Sequence, residues 1–336
     1  MTIHENTSLK SYNTFGIDVT ARYFVEITSK NEIPGLIEGA SNNELLILGG
    51  GSNLLLTKDV WGIVLKISIM GKEIVEETDN TILLKIGAGE NWHSVVEWCV
   101  QNKYAGIENL ALIPGTVGAA PIQNIGAYGV EIMDVFDSLE MYDISKLHTV
   151  RFTREECEFG YRDSIFKRRL KGTGIITSVT LRLRKSTDAL HINYNDVRFE
   201  LGANIKSPSI HDVFTAVSAI RTRKLPNPLE IGNAGSFFKN PTIPSSHYNE
   251  LKTNYHEMPS YPHPNGMVKI PAAWLIEQCG WKGIRQGSVG VYPHQALVIV
   301  NYGGASGEEV IALAREIQAS VNEKFGIDIE PEVNVI

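Results

Sequence analysis

The chain has 336 residues, of which 43% are hydrophobic and 21% charged. These values are typical of a globular protein and exclude intrinsic disorder, collagen and a coiled coil. The chain is longer than most domains built around a single hydrophobic core, so we expect two or three packed subdomains. The 31 basic and 38 acidic residues give a net charge of −7, which argues against nucleic-acid binding.

The N-terminus and the cysteines predict a cytoplasmic protein. The first residues show no basic stretch followed by an apolar one, which argues against a secretory signal. No apolar run approaches the roughly 20 residues of a membrane helix. The three cysteines, Cys99, Cys157 and Cys279, are odd in number and far apart, as expected of reduced thiols. The nine histidines show no ligand spacing, so we expect no metal site.

Strand and helix signals are mixed along the chain. Apolar or alternating runs predict strands at residues 45–48, 81–86 and 179–184. Apolar residues at helical spacing predict helices at about residues 92–100, 271–279 and 306–325. Pairs with capping-box spacing mark helix starts at Ser29 and Glu32, Ser209 and Asp212, and Ser306 and Glu309. We expect the last helix to end at Gly326.

Glycine is concentrated directly after the first predicted strand, in the Gly-Gly-Gly-Ser-Asn run of residues 49–53. Three glycines let backbone N–H groups approach an anion such as a pyrophosphate. The run is not the dinucleotide fingerprint, because Leu54 stands where a glycine is required, and no Gly-Lys-Ser/Thr of a phosphate loop follows. A tight turn is the alternative, but three glycines followed by Ser-Asn favour anion binding.

A second glycine-rich segment covers residues 113–129, with small side chains and few charges. Such a segment can lie against a large planar ligand and contact it through backbone amides. The alternative is close packing that tolerates no side chains. The two segments together make a nucleotide or flavin site outside the Rossmann class plausible.

Five motifs resemble one family in their order along the chain. They are residues 49–53, 113–129, 161–167 (YRDSIFK), 232–241 (GNAGSFFKNP) and 330–333 (EPEV). In this order they resemble the UDP-N-acetylenolpyruvoylglucosamine reductase family, flavoenzymes of peptidoglycan precursor synthesis. The resemblance covers nearly the whole chain, and five motifs in order are far more specific than any one.

The resemblance implies an α+β fold. It consists of a FAD-binding fold of the vanillyl-alcohol-oxidase/PCMH type in two α/β subdomains, plus a C-terminal α/β substrate-binding domain. We expect the subdomains at residues 1–70 and 71–225, with residues 326–336 joining the second, and the substrate-binding domain at residues 226–325. Pro226 and Pro228 favour an extended connector at this boundary.

The resemblance also implies the ligands and the reaction. NADPH reduces a non-covalently bound FAD, which passes hydride to the enolpyruvyl ether of UDP-N-acetylglucosamine and yields UDP-N-acetylmuramate. No nucleic acid or membrane is expected as a partner, and we expect a monomer. The residues expected to bind FAD are Gly49, Gly50, Gly51, Ser52, Asn53, Pro114, Gly115, Thr116, Gly118, Ala119, Asn124, Gly126, Ala127, Tyr128 and Gly129.

This reaction builds negative charge beside a carboxylate and then needs one proton, so it calls for a cation and a proton donor. The resemblance assigns the proton to Ser236 and the carboxylate and enolate to Arg162, whose planar guanidinium suits a carboxylate. Glu332 would orient Arg162 or polarise the enolate carboxylate. Glu330 competes with it, and we choose Glu332 because the family pattern places the acid directly before valine. Asn334 stands where many relatives carry a basic residue, which leaves the pairing of the tail open.

Substrate-binding positions complete the resemblance, namely Tyr161, Tyr194, Lys224, Asn240 and Gln295. The segment around Tyr194 resembles the type I-like subgroup, in which a tyrosine loop closes over substrate. Two other functions stay open. A nucleotide-sugar sensor would not need Ser236, Arg162 and Glu332 together, and a flavin oxidase of the same fold would use oxygen and lack the UDP-binding set.

Overall fold

The computed structural model describes residues 2–40, 44–186, 189–202, 205 and 207–336. The chain divides into two compact units. Unit 1 comprises the described residues of Met1–Thr7, Thr20–Gly51 and Val60–Thr222. Unit 2 comprises Ser8–Val19, Ser52–Asp59 and Arg223–Ile336. Each unit is therefore built from separate stretches of sequence.

The described residues form strands and helices throughout. The strands are β1 (Ile3–Ser8), β2 (Thr20–Ile27), β3 (Leu45–Leu48), β4 (Leu54–Leu55), β5 (Val60–Ile67), β6 (Lys72–Glu77), β7 (Thr81–Gly87), β8 (Gly126–Ala127), β9 (Val130–Glu131), β10 (Phe136–Asp143), β11 (His148–Thr153), β12 (Gly174–Arg184), β13 (Gly232–Asn233), β14 (Thr242–Pro244), β15 (Tyr261–His263), β16 (Met267–Lys269), β17 (Arg285–Gln286), β18 (Val289–Val291), β19 (Ile299–Asn301) and β20 (Asn334–Val335). The α-helices are α1 (Ile33–Gly39), α2 (Trp92–Gln101), α3 (Asn195–Leu201), α4 (Ile210–Lys224), α5 (Ser245–Asn254), α6 (Ala272–Gln278) and α7 (Gly307–Phe325). Short 3₁₀ helices occupy Lys10–Tyr12, Lys30–Glu32, Glu108–Leu110, Val117–Ala119, Ile132–Asp134 and Ile165–Lys167.

Local sequence signals explain the helix ends. Ser306 caps α7, with its side chain accepting the N–H of Glu309 while the Glu309 carboxylate accepts the Ser306 N–H. The predicted apolar stripe of α7 is buried, and Gly326 ends the helix with φ 62°, in the left-handed region. The capping box at Ser29 is also present, but it begins a 3₁₀ turn that leads into α1.

Unit 1 contains two main sheets. The first has the order β1-β2-β5-β3, with β2 and β3 parallel to β5. The second has the order β11-β10-β12-β7-β6 and is antiparallel. The predicted strand 45–48 is confirmed as β3, and 81–86 extends by one residue as β7. Residues 179–184 show the predicted alternation, but they form only the second half of a longer strand, β12. The first half of β12 is buried on both faces and therefore lacks the alternation that marks a strand in the sequence.

The core of unit 1 joins both sheets to helix α2. Trp92 and Val96 of α2 are buried together with Leu84 of β7 and Leu181 of β12. The indole N–H of Trp92 donates to the Leu110 carbonyl oxygen at 3.0 Å, so the ring is buried without an unpaired donor. Burying such large apolar side chains is the main stabilising contribution to a unit of this size.

Unit 2 contains three small sheets and its own aromatic core. The sheets have the orders β13-β19-β18-β17, β14-β16-β15 and β20-β4. Helix α7 packs on β18 and β19. Phe15, Phe237 and Phe238 are buried, with ring centroids 6.3 Å apart for the Phe15–Phe237 pair and 5.1 Å for Phe237–Phe238. Edge-to-face geometry of this kind is favoured between aromatic rings.

The two compact units do not follow the predicted boundaries, because Ser8–Val19 and Ser52–Asp59, which lie within the predicted subdomain 1–70, are part of unit 2. Residues 326–336, which we predicted to join residues 71–225, are part of unit 2, where β20 pairs in parallel with β4. The break between Thr222 and Arg223 lies close to the predicted connector. The division into 1–70, 71–225 and 226–325 stays a prediction. No helix among the described residues is both long and apolar enough to span a membrane.

Candidate functional site

The two glycine-rich segments contact each other within unit 1. A Cβ atom on Gly50 would lie 2.6 Å from the Cα of Gly115, and one on Gly49 would lie 2.7 Å from the Thr116 Oγ1. A Cβ on Gly118 would lie 2.6 Å from the Ala88 Cβ. Real carbon atoms do not approach so closely, so Gly49 and Gly50 allow the two segments to meet, and Gly118 allows the second segment to pack on Ala88. The alternative of close packing therefore holds alongside any role in binding.

The contact leaves one polar atom unsatisfied. The Thr116 Oγ1 is buried and has no hydrogen-bond partner among the described residues. Gly51 and Gly115 have φ +62° and +120°, which disfavour other residues. A bare backbone cradle with a buried, unpaired hydroxyl suits a phosphate-bearing ligand that accepts hydrogen bonds. The residues present therefore fit FAD.

The predicted FAD-binding residues are divided between the units. Ser52 and Asn53 belong to unit 2 and the other thirteen to unit 1. Asn53 connects to the chain end, because its Nδ2 donates to the Glu332 carbonyl oxygen at 3.3 Å. Its own carbonyl oxygen accepts the N–H and the Nδ2 of Asn334, at 3.1 and 3.0 Å. Asn334, whose partner the sequence left open, thus attaches the C-terminal tail to Asn53 through its backbone and side-chain amides.

Arg162 lies at the tip of a tight turn in unit 1. The backbone groups of Gly160 and Asp163 pair with each other at 3.0 and 3.2 Å, and Arg162 has φ 53°. A positive φ at the third residue is the pattern of a type II turn, where glycine is usual. The Arg162 Nη2 donates to the Gly126 carbonyl oxygen at 2.6 Å, and its guanidinium lies 5.5 Å from the Tyr161 ring centroid. Arg162 is therefore brought beside the second glycine-rich segment.

Asn124 also connects this segment to the Arg162 turn. Its side chain is buried, and its Nδ2 donates to the Glu131 Oε2 at 2.7 Å and to the Gly160 carbonyl oxygen at 2.9 Å. Its Oδ1 accepts the Met133 N–H at 3.2 Å. Both amide N–H groups are therefore used within the protein. Its assignment to FAD binding stays a prediction, and a contact with FAD would have to use another part of the residue.

The sequence did not predict a cluster of half-buried polar side chains around Tyr128 and Leu112. The Leu112 N–H donates to the His93 Nδ1 at 3.1 Å, and the Arg221 Nη2 donates to the Leu112 carbonyl oxygen at 3.4 Å. Arg221 also interacts with Tyr128, and burial raises the pKa of Tyr128. Burial lowers the pKa of His93, which favours the neutral ring that accepts this hydrogen bond. A basic run just before the predicted connector was the available signal for Arg221.

Ser236 lies in unit 2 directly after a glycine turn. Gly235 has φ +71° and donates its N–H to the Asn233 Oδ1 at 2.9 Å. A Cβ on Gly232 would lie 2.2 Å from the Phe15 carbonyl oxygen, so this strand packs backbone against backbone. The Phe237 N–H donates to the Leu297 carbonyl oxygen at 2.8 Å. These contacts hold the half-buried Ser236 between fixed neighbours.

The structure places Glu332 beside the Ser236 segment. The Glu332 N–H donates to the Phe237 carbonyl oxygen at 2.7 Å, and the Lys239 N–H donates to the Glu330 carbonyl oxygen at 2.9 Å. Both candidate acids therefore lie on one segment, residues 330–332, whose backbone pairs with that of residues 237–239. The Glu330 side chain is 78% exposed and lies 3.7 Å from the Lys239 Nζ, whereas Glu332 is half-buried.

The predicted substrate-binding residues lie in both units. Tyr161 and Tyr194 belong to unit 1, where the Tyr194 and Tyr128 rings meet edge to face at 5.4 Å. In unit 2 the amide oxygens of Asn240 and Gln295 each accept a backbone N–H, from Ala272 and Leu297 respectively, and Lys224 is half-buried. The described part of the chain holds no cluster of three or more potential metal ligands.

Comparison with known families first defines the class of protein. Residues 21–150 match the FAD-binding domain family, and residues 227–336 match the family described as UDP-N-acetylenolpyruvoylglucosamine reductase, C-terminal domain. A crystal structure of UDP-N-acetylenolpyruvylglucosamine reductase from Thermus caldophilus superposes with a TM-score of 0.68. It is 23% identical, and the match covers 99% of this chain and 98% of that one. The fold is therefore that of a FAD-binding oxidoreductase with a C-terminal domain, as predicted.

Relatives of the same length then define the family. Proteins named UDP-N-acetylenolpyruvoylglucosamine reductase are 48% identical in Flavobacterium johnsoniae and 53% identical in Amoebophilus asiaticus, over 100% of both chains in each case. The protein of that name in Pseudomonas aeruginosa is 46% identical over 99% of this chain and 98% of its own. The chain belongs to the UDP-N-acetylenolpyruvoylglucosamine reductase family. The resemblance predicted from the five motifs is confirmed.

Proposed function

We propose that this protein uses NADPH and FAD to reduce the enolpyruvyl ether of UDP-N-acetylglucosamine to UDP-N-acetylmuramate. The observation that carries the proposal is the end-to-end match to reductases of this name, which includes both the FAD-binding and the C-terminal regions. FAD, when bound, accepts hydride from one substrate and passes it to the other.

The cradle of unit 1 holds the cofactor. Gly49, Gly50 and Gly115 form a surface of bare backbone, and the buried hydroxyl of Thr116 supplies a donor to an acceptor oxygen of FAD. The remaining predicted residues of 113–129 bind FAD through the same segment, Asn124 through its backbone alone because its side chain is bonded within the protein. Binding through backbone groups needs no charged side chain at the cofactor, which agrees with the low charge of this segment.

Arg162 binds the substrate carboxylate and stabilises the enolate formed from it. Negative charge grows on this group during the reaction, so a fixed guanidinium lowers the barrier more than it strengthens binding of the ground state. The turn at Gly160 and Asp163 fixes the backbone of Arg162, and the bond to Gly126 fixes its side chain. This preorganisation is the property that such a cation needs.

Ser236 donates the proton to the enolate carbon, and Glu332 supports the carboxylate. Ser236 follows a rigid glycine turn, so its hydroxyl is presented from a fixed backbone. We propose Glu332 and not Glu330 because Glu332 is bonded to Phe237, the neighbour of Ser236, and is half-buried. The exposed Glu330 pairs with Lys239 instead.

The diphosphate of the UDP substrate is bound by Lys224, Tyr194, Asn240 and Gln295, and Tyr161 also binds the substrate. Asn240 and Gln295 use their amide oxygens to accept backbone N–H bonds, which orients their NH₂ groups as donors. Lys224 supplies the positive charge that outweighs the net charge of −7 locally. Tyr194 is 47% exposed, which agrees with a side chain that closes over substrate.

We further propose that the enzyme acts as a cytoplasmic monomer, without a nucleic-acid or membrane partner. The acidic net charge and three unpaired cysteines support this proposal. Light scattering of the purified protein tests the monomer, and a mass near 74 kDa, on the order of twice the chain mass of 37.2 kDa, would contradict it.

Anaerobic stopped-flow absorbance tests the function. NADPH is expected to bleach the flavin of the purified protein, and the enolpyruvyl nucleotide is expected to restore its colour. Bleaching without restoration by the nucleotide, but with restoration by oxygen, indicates the flavin oxidase. Absence of any flavin indicates the nucleotide-sugar sensor.

Two substitutions separate the proposed roles. Ser236→Ala is expected to keep flavin reduction by NADPH and to slow reoxidation by the nucleotide by about 10²–10⁴-fold, since general acid catalysis contributes that much. Ser245→Ala, which removes another serine hydroxyl of unit 2, is the control. Lys224→Ala is expected to raise the KM for the nucleotide with little change in FAD content, whereas Lys282→Ala, at an exposed ion pair, leaves both unchanged. Equal losses in both half-reactions of Ser236→Ala would contradict the proton-donor role.

A further inference from the structure

Asn124 is buried at the junction between the second glycine-rich segment and the Arg162 turn. Its side chain is 0% exposed, and its φ of 46° lies in the left-handed region. Both amide hydrogens and the amide oxygen are bonded, to Gly160, Glu131 and Met133. A buried polar side chain with all its donors paired holds its partners in one arrangement, because any other leaves groups unpaired.

The partner that matters here is Gly160, the first residue of the Arg162 turn. Its carbonyl oxygen accepts the Asn124 Nδ2 at 2.9 Å as well as the Asp163 N–H at 3.2 Å. Arg162 itself adopts the left-handed conformation, with φ 53°, which is strained for any residue with a side chain. Such strain persists only where the surroundings fix it. The Asn124 bond is one of the contacts that do so.

Two further contacts attach the turn to the same segment. The Ser164 Oγ donates to the Ile122 carbonyl oxygen, and the Arg162 Nη2 donates to the Gly126 carbonyl oxygen, each at 2.6 Å. Residues 122–126 and 160–164 therefore form one hydrogen-bonded frame within unit 1. Asn124 is its only buried side chain that donates to the backbone of the turn itself, among the residues that the structure describes.

We propose that Asn124 is a positioning residue, which acts on the reaction through Arg162. It fixes the Arg162 turn to the segment that cradles the cofactor, so that the guanidinium is held where the substrate carboxylate binds. This inference rests on the proposed function of Arg162. Displacing a catalytic group by about 1 Å can cost on the order of 10²-fold in rate, so fixing the turn has a measurable consequence.

Two substitutions at Asn124 separate the contribution of its side-chain hydrogen bonds from that of its backbone conformation. Asn124→Gly removes all three hydrogen bonds but tolerates the positive φ. Asn124→Asp keeps the size and an acceptor for Met133, but it cannot donate to Gly160 and places a second carboxylate beside Glu131. Thr173→Val is the control, because it removes one side-chain-to-backbone hydrogen bond of unit 1, to Leu170, outside this frame.

Three measurements on each purified variant test the proposal. The affinity of the apo-protein for FAD, measured by quenching of flavin fluorescence, is expected to change by less than about threefold. The rate of flavin reduction by NADPH is expected to stay within about twofold. Reoxidation by the enolpyruvyl nucleotide is expected to slow by roughly 10- to 100-fold. Loss of FAD affinity in both variants would place Asn124 in cofactor binding and overturn the proposal, as would equal slowing of both half-reactions.

A double-mutant cycle shows whether Asn124 acts through Arg162. In an Arg162→Ala background, Asn124→Gly is expected to change the reoxidation rate by less than about twofold, since the group it positions is absent. Independent, multiplicative losses would overturn the proposal. The wild-type protein distinguishes failure of the proposed function from failure of the proposed role of Asn124. If it does not transfer hydride to the nucleotide, the proposed function fails, whereas multiplicative losses in a working enzyme refute only the role of Asn124.

Discussion

Replacing Gly50 by alanine is expected to separate the two glycine-rich segments of unit 1. The new methyl carbon would lie 2.6 Å from the Gly115 Cα, 3.1 Å from the Gly115 carbonyl carbon and 3.3 Å from the Thr116 nitrogen. Carbon atoms in contact are about 3.5–4.0 Å apart, so the backbones must move apart by about 1 Å. Both partners are backbone, and no side chain can rotate away to relieve the overlap. Overpacking of this kind costs about 1–3 kcal/mol.

Thermal unfolding and FAD titration measure the effect of Gly50→Ala. A loss of about 1–3 kcal/mol lowers Tm by roughly 1–4 °C in a chain of this size. FAD affinity is expected to fall by about tenfold or more, because the cradle is displaced. Gly35→Ala is the matched control, since a Cβ there meets nothing within 4 Å and α1 gains about 0.5–1 kcal/mol. Wild-type Tm and FAD affinity in Gly50→Ala would refute the contact.

Burial and helix capping give three other predictions. Neutral His93 accepts the Leu112 N–H, and burial lowers the pKa of His93. Protonation of His93 therefore favours the unfolded chain, and the free energy of unfolding is expected to fall as pH drops below the ordinary histidine pKa of 6.5. Parallel Tm profiles for wild type and His93→Asn between about pH 8 and pH 5 would contradict this. Burial raises the pKa of Cys157 to about 12, so this thiol is expected to resist Ellman's reagent until urea exposes it, and Cys279, less buried, reacts first. Ser306→Ala is expected to cost about 1 kcal/mol in urea unfolding through loss of the α7 cap, and an unchanged midpoint would argue against that cap.

Features encoded by neighbouring residues could be predicted from the sequence. Helix α7 is the clearest case, because the capping pair at Ser306, the apolar stripe and Gly326 are all local signals. The strand β3 is likewise bounded by its own composition. The five motifs also identify the family, since their order along the chain is specific to it. Each of these depends on residues within one element or on the order of motifs.

Contacts between distant residues could not be predicted. The requirement for glycine at Gly50 comes from Gly115, 65 positions later, and not from a ligand alone. The bond from Asn124 to Gly160 joins residues 36 positions apart, and no periodicity signals it. The family pattern predicted Glu332 over Glu330, but the bond from the Glu332 N–H to the Phe237 carbonyl oxygen, beside Ser236, is seen only in the folded chain.

The pairing of β4 with β20 sets the timing of folding during synthesis. The Thr57 N–H and Oγ1 both donate to the Ile336 carbonyl oxygen at 2.8 Å, across 279 residues of sequence. At about 5–20 residues per second, a ribosome needs roughly 14–56 s to make the intervening chain. Residues 52–59 must stay without this partner for that time, and a fragment that begins at Arg223 lacks it altogether. The C-terminal region of this enzyme is therefore expected to fold only as part of the whole chain.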